Sequence, residues 1–474
     1  MLFVKTAYKT VIFVRYGFIS FVFLLVFIIF SQCRKDDFID DASFKLHFST
    51  DSLTFDTVLS TVGSVTRHFM VYNKADQPVE IDRIFLGGGD QSEFRVNING
   101  QKNAVSNMIL PGKDSMFVFV ECNLNDGTNY LYRKDSVGFN VNGNFQYVDL
   151  TAWGRDIIRI PGLTIKKDTV FSSVKAFFVE GDIMVKKGAT LTLDPGTEMY
   201  FTKNTGMFVE GTLKTLGDFF SPVIMTNART DKEYEHVPGQ WSGVQLKTSS
   251  SDNSFSHTVI ENAVNGLVVG SPDSLLLAPG LEMRSCIIQN HSYGGLMAFN
   301  ADILVVNNVI ANCGYFTGYF AGGKYDFYHT TIANYYPYRS RSDPGFFLSN
   351  HIYDEAYALD FSMYNSILWG AGSELELDEF DESAAADYFF DHVMIKTDFS
   401  AVDTSDDTHF RNVIAGGDPG FINPEEMNFN IDTFSVARDQ GYHQYGTLYP
   451  FDIKEDNRTF DDAPDLGAYE IVDF

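Results

Sequence analysis

The sequence predicts an all-β chain, most of it a parallel β-helix, with a β-sandwich ahead of it. Three observations carry this. The first is a ladder of matching segments: Val259-Ile260-Glu261-Asn262, Ile287-Ile288-Gln289-Asn290, Val309-Ile310-Ala311-Asn312 and Thr331-Ile332-Ala333-Asn334, whose asparagines step by 28, 22 and 22 residues. A looser echo is Ser366-Ile367-Leu368-Trp369. A fixed period of this length marks a solenoid, and helical repeats are usually longer, about 33–47 residues. The second is that the apolar residues come in short β-branched runs punctuated by Asn and Gly, which reads as strands stacked coil on coil. The third is that residues 44–155 alternate apolar and polar between turn signals, as antiparallel strands do.

Composition narrows the function. The 474 residues carry a formal charge of −27. Phosphate binding needs clustered Lys and Arg, so nucleic acid is excluded as a partner, and docking on anionic lipid through a basic patch is disfavoured. Such acidity suits a soluble surface kept apart by like charge, or carboxylates that gather calcium. No motif implies any other cofactor.

Residues 1–32 hold Lys5, Lys9 and Arg15 and no acid, then an apolar run from Gly17 to Phe30. That is the pattern of a secretory signal, short for a spanning helix, which needs about 20 residues. Phe30-Ser31-Gln32-Cys33 resembles a bacterial lipobox of Bacteroidetes type. The resemblance implies cleavage before Cys33, lipidation of Cys33 and a membrane partner reached through that lipid. Arg34-Lys35-Asp36-Asp37 resembles the surface-export signal of the same lipoproteins, which implies an outer-membrane, surface-exposed location. Cys122, Cys286 and Cys313 form no disulfide framework and no zinc spacing; one bridge between Cys286 and Cys313 is conceivable, but they stand at different points of the repeat, which favours buried free thiols.

Residues 33–43 read as a tether. In 44–155, Val79 to Ile84 and Glu93 to Ile98 alternate, and Asn99-Gly100 and Asn142-Gly143 are hairpin turns. About seven short strands at such spacing predict an immunoglobulin-like sandwich. The order Tyr72-Asn73, Pro78, Ile81, then Pro111-Gly112-Lys113-Asp114-Ser115 resembles modules of the choice-of-anchor D and Hydin type.

The β-helix is expected over 170–410. Phe178-Val179-Glu180-Gly181, Gly188-Ala189-Thr190-Leu191-Thr192-Leu193-Asp194-Pro195-Gly196, Met207-Phe208-Val209-Glu210-Gly211 and Trp241-Ser242-Gly243-Val244 follow in order. They resemble the opening coils of right-handed β-helices of the pectate-lyase-like superfamily. The ladder asparagines are expected to be structural, since Asn tolerates the left-handed conformation and its amide can bond the Asn stacked beneath it. Residues 411–474 are expected to close the rod. Asp465-Leu466-Gly467-Ala468-Tyr469-Glu470 resembles the carboxy-terminal signature of choice-of-anchor Q proteins, with Ser435-Val436-Ala437 where that pattern usually has Ser-Pro-Ala.

Regular spacing breaks at 335–364 and at the acidic stretch 374–382, and insertions in a solenoid map to loops on one flank. Tyr336, Tyr338, Arg339, His351, Asp354 and Glu355 are therefore the candidate ligand-binding residues. Aromatic planes with carboxylates and an arginine suit a sugar, whose apolar face stacks on rings. The alternating acids of 374–382 lack the spacing of a calcium loop. There is no phosphate loop and no Gly-x-Ser-x-Gly elbow. The expectation is a surface protein that binds glycan or another surface ligand without catalysis. The alternative is a polysaccharide lyase or glycosidase, which would show carboxylates and a Lys or Arg converging on one groove.

Overall fold

The computed structural model describes residues 37–125, 131–172, 174–273, 280–341, 343–398, 402–460 and 463–472. The signal segment 1–32 and Cys33 lie outside the described residues. The chain divides into two compact units.

The first unit holds two five-stranded antiparallel sheets. One runs His47–Phe48, Arg67–Tyr72, Ser115–Cys122, Phe94–Ile98, Gln101–Lys102; the other is built around Leu131–Val141, Val79–Leu86 and Val105–Leu110. Alternation decides which side faces in, because strand side chains point to opposite faces in turn. Phe48 and Phe69 of one sheet meet Phe139 of the other at ring separations of 5.0 and 6.1 Å. Asn99-Gly100 and Asn142-Gly143 have φ of 49° and 84°, and 50° and 79°, as tight hairpin turns require.

The second unit is a parallel β-helix. Its ladder has 26 strands and runs from Ile157–Ile160 to Ile414–Ala415. Three faces repeat. The first stacks eleven strands, from Ile157–Ile160 through Ile287–His291 and Thr331–Asn334 to Ile414–Ala415. Ten steps of about 4.8 Å make a rod of about 48 Å. Ile260, Ile288, Ile310 and Ile332 stand in register in one inward column, each at most 1 % exposed. The 22-residue step of the sequence is this register.

Two corners use left-handed residues. After the first face, Asn262, Asn290 and Asn312 have φ of 63°, 60° and 52°. Asn290 Nδ2 donates to Asn262 Oδ1 (2.6 Å), and Asn262 Nδ2 to Asn227 Oδ1 (2.6 Å). Further on, Asn312 Oδ1 accepts from Tyr335 N (2.8 Å), and Asn334 brackets the Cys313 backbone (3.2 and 3.1 Å). Before the first face stands a second left-handed column: His257, Ser285, Asn307, His329, Asn365, His392 and Asn412, with φ between 40° and 56°. Cys286 and Cys313 are buried free thiols, pushed up to about 12 by burial, which leaves them unreactive.

The tail after Ala415 folds back along the flank of the rod, over the outward side of the first face. Phe429, Ile453 and Ala468 cover Val309, Ala311 and Ala333, while Ile431, Ala437 and Leu466 cover Ile367, Trp369 and Met394. The second left-handed column fastens it. Asn307 Nδ2 donates to Phe451 O (2.6 Å); Asn365 donates to Tyr442 O (3.1 Å) and accepts from Tyr442 N (2.7 Å). In the 465–470 motif, fully buried Arg458 donates to Glu470 Oε2 and to Gly467 O, both at 3.0 Å. Gly467 has φ of 92°, and a Cβ there would sit 2.5 Å from Thr331 Oγ1, the acceptor of Ala468 N. Among the described residues no helix is long and apolar enough to cross a membrane.

Candidate functional site: an aromatic face between two loops

The second face of the rod lies between two parts of the 335–364 insertion, one on each side of the strand Phe346–Ser349. Its inward positions, such as Leu267, Leu296, Phe320 and Leu348, are buried in the core. Side chains alternate along a strand, so the residues between them point outward. Val268, Met297, Tyr319, Phe347 and Glu376 thereby form one outward column, rung on rung. Tyr319 and Phe347 stack at 5.0 Å with ring planes 12° apart. Phe316 meets Tyr319 edge-on at 5.1 Å, and Tyr293 lies 5.9 Å from Phe316 and 4.9 Å from Tyr315. The result is an aromatic floor several rungs long, half-buried at Tyr319 and Phe347 and 43 % exposed at Tyr315.

The loop 335–345 forms one edge. The Arg339 guanidinium lies 3.7 Å over the Tyr315 ring. Tyr336 packs against Tyr338 at 5.6 Å, and burial pushes its phenol up to about 12. Tyr338, 56 % exposed, donates its hydroxyl to His236 O (2.9 Å). The loop is anchored at its base by Arg341, which donates to Glu374 Oε1 at 2.5 Å. Glu374 is 1 % exposed, and burial pushes its carboxyl up to about 7 against the pull of Arg341. Gly345 and Gly370 make room for the pair: a Cβ at either would lie within 2.9 Å of a Glu374 oxygen.

The hairpin His351–Ile352 with Glu355–Ala356 forms the other edge. Ile352 is buried against Phe299 and Ala321. His351 Nε2 lies 3.3 Å from Asp378 Oδ2, and the Tyr353 hydroxyl donates to Asp273 Oδ1 (3.3 Å). Asp354 and Glu355 are exposed at the tip. Tyr319 feels both edges: burial first, then Asp378, Tyr293 and Tyr353, raise its phenol.

The six candidate residues thus fall in two groups. Tyr336, Tyr338 and Arg339 precede the strand Phe346–Ser349, and His351, Asp354 and Glu355 follow it. A four-residue strand separates the groups by about 13 Å. Sequence reasoning missed the floor between them. Its signal was there: Met297 and Tyr319, and likewise Tyr293 and Tyr315, are 22 residues apart, the step of the asparagine ladder. Among the described residues no group of three His, Cys, Asp or Glu is placed to hold a metal ion.

The third face carries a separate charged row. Asp302, Lys324, Asp360 and Asp387 stand in register on successive rungs, outward and exposed. Lys324 Nζ lies 3.6 Å from Asp326 Oδ2. Asp326, Asp302 and Asp360 raise the lysine's pKa, and burial raises that of Asp326.

No family model matches the chain, and no curated protein matches it. Among solved structures, the chaperone DraB of E. coli aligns at 13 % identity over 24 % of this chain and 55 % of that one, with a TM-score of 0.18. A family 123 glycoside hydrolase from Clostridium perfringens aligns at 4 % identity over 24 % of this chain and 28 % of that one, with a TM-score of 0.17. The chain thus spans about half of the first and little more than a quarter of the second, and at these TM-scores neither likeness bears on its fold or its activity.

Proposed function

We propose that this chain is a lipid-anchored protein of the bacterial cell surface that holds a glycan along the second face of its β-helix without cleaving it. The observation that carries this reading is the stacked Tyr319–Phe347 floor, with Phe316, Tyr293 and Tyr315 beside it. Sugars lay their apolar faces on such rings and bond their hydroxyls to polar neighbours. Arg339 and His351 stand at the two edges to supply those bonds. The resemblances to Bacteroidetes lipoproteins, to pectate-lyase-like rods, to choice-of-anchor Q tails and to immunoglobulin-like modules fit a secreted carbohydrate-handling protein. The test is a glycan array probed with the chain from residue 34 onward and with its Tyr319→Ala/Phe347→Ala variant. Binding that the double variant abolishes supports the reading, and binding that it leaves intact removes this face as the site.

A second reading, cleavage of the polysaccharide, draws on the third face, where Lys324 stands between Asp302 and Asp360. Asp326 first, then Asp302 and Asp360, favour the charged ammonium, which weighs against Lys324 as the base of a lyase. A reducing-end assay on any glycan hit decides: new ends that disappear in Asp326→Asn would favour cleavage at this face.

A further inference from the structure

We infer that the second face selects a cationic amino-sugar polymer over a neutral or acidic one; the inference rests on the glycan-binding reading above. Glu376 follows Phe347 in the same outward column, one rung on, about 4.8 Å along the rod. A sugar ring lying on Phe347 therefore places a substituent within reach of that carboxylate. Asp378 flanks Glu376 on the hairpin side, and Asp273 borders the hairpin through Tyr353.

Against these acids the described positive groups are few. The Arg339 guanidinium lies over the Tyr315 ring at the opposite edge, and His351 is shared between Asp378 and Asp381. Arg341 is buried against Glu374 at the base of the loop. The Glu376 carboxyl is raised by burial, then by Asp378 and Asp343. Negative potential of that kind is what a bound ammonium relieves. An ammonium is also attracted to exposed aromatic rings. A uronate chain would bring its own carboxylates to the same acids and be repelled.

The experiment measures binding of the full chain to glucosamine oligosaccharides, their N-acetylated counterparts and oligogalacturonate of equal length, at low and high salt. At low salt the amine form should bind about tenfold tighter than the acetylated form, with the difference lost in high salt. Glu376→Gln/Asp378→Asn should reduce the difference to within about twofold. Because the whole chain is acidic, Glu425→Gln/Glu426→Gln on the tail serves as a charge-matched control and should change nothing. Equal binding of amine and acetylated forms, tighter binding of uronate, or equal losses in both double variants would overturn the charge inference while glycan binding stands. Failure of all three sugars to bind removes the glycan-binding reading itself.

Discussion

Ile310 touches the rungs on both sides of it, because Ile288 and Ile332 are its partners in register and all three are buried. Ile310→Ala should cost about 2–5 kcal/mol through the cavity it leaves, read as a lower urea midpoint with the change centred on coils 287–334. The column was legible because a solenoid core repeats with the chain's own period. Tyr319 and Phe347 were not, since an outward aromatic carries no mark of which way it points until the register is known. Glu374 makes a pH prediction. Its folded carboxyl titrates near 7 against an ordinary 4.5, so between these values the folded state keeps a proton that the unfolded chain has released. Stability from this group is therefore highest below about 4.5, falls as pH rises to about 7, and is flat beyond. Thermal melts across that window should show the decline, and Glu374→Gln should flatten it; an unchanged slope in the variant would assign the decline to other groups.

At the scale of elements, the tail and the two corners explain each other. The asparagine ladder was legible as structural; Asn290 bonds Asn262 as expected, whereas Asn312 and Asn334 bond backbone groups instead. The second left-handed column was hidden because its residues differ in type: Ser285, Asn307 and His329 share a backbone conformation and not a side chain. The 465–470 motif was legible as a closing element, while its place along the flank was not, since which apolar surface a tail covers depends on outward side chains. Arg458 holds that motif at 0 % exposure, bonded to Glu470 and Gly467. Arg458→Ala leaves buried Glu470 without its charge partner and should cost about 3–5 kcal/mol. The expected readout is early protease cleavage within 418–472 while the β signature of the ladder persists. Loss of the whole β signature in one step would show that the tail and the coils melt as a unit.

Over the whole molecule, the sequence made the fold class legible and the ligand much less so: period and alternation are properties of every coil, whereas a binding surface is the sum of a few outward positions. The proposed anchoring has its own test. Cys33→Ser should release the chain from membranes or leave an uncleaved precursor in fractionation; a processed, membrane-bound product would count against lipidation. Each coil of a solenoid leans on its neighbours alone, but the tail binds to coils from Asn307 to Met394 at once. A chain that stopped just after Ala415 would already own every rung, yet Val309, Ala333, Ile367, Trp369 and Met394 would be bare. Exposed apolar stripes of that kind are sites of association and aggregation. The segment after Ala415 therefore acts as a sheath: the coils complete the ladder, and the segment makes their apolar flank presentable to water.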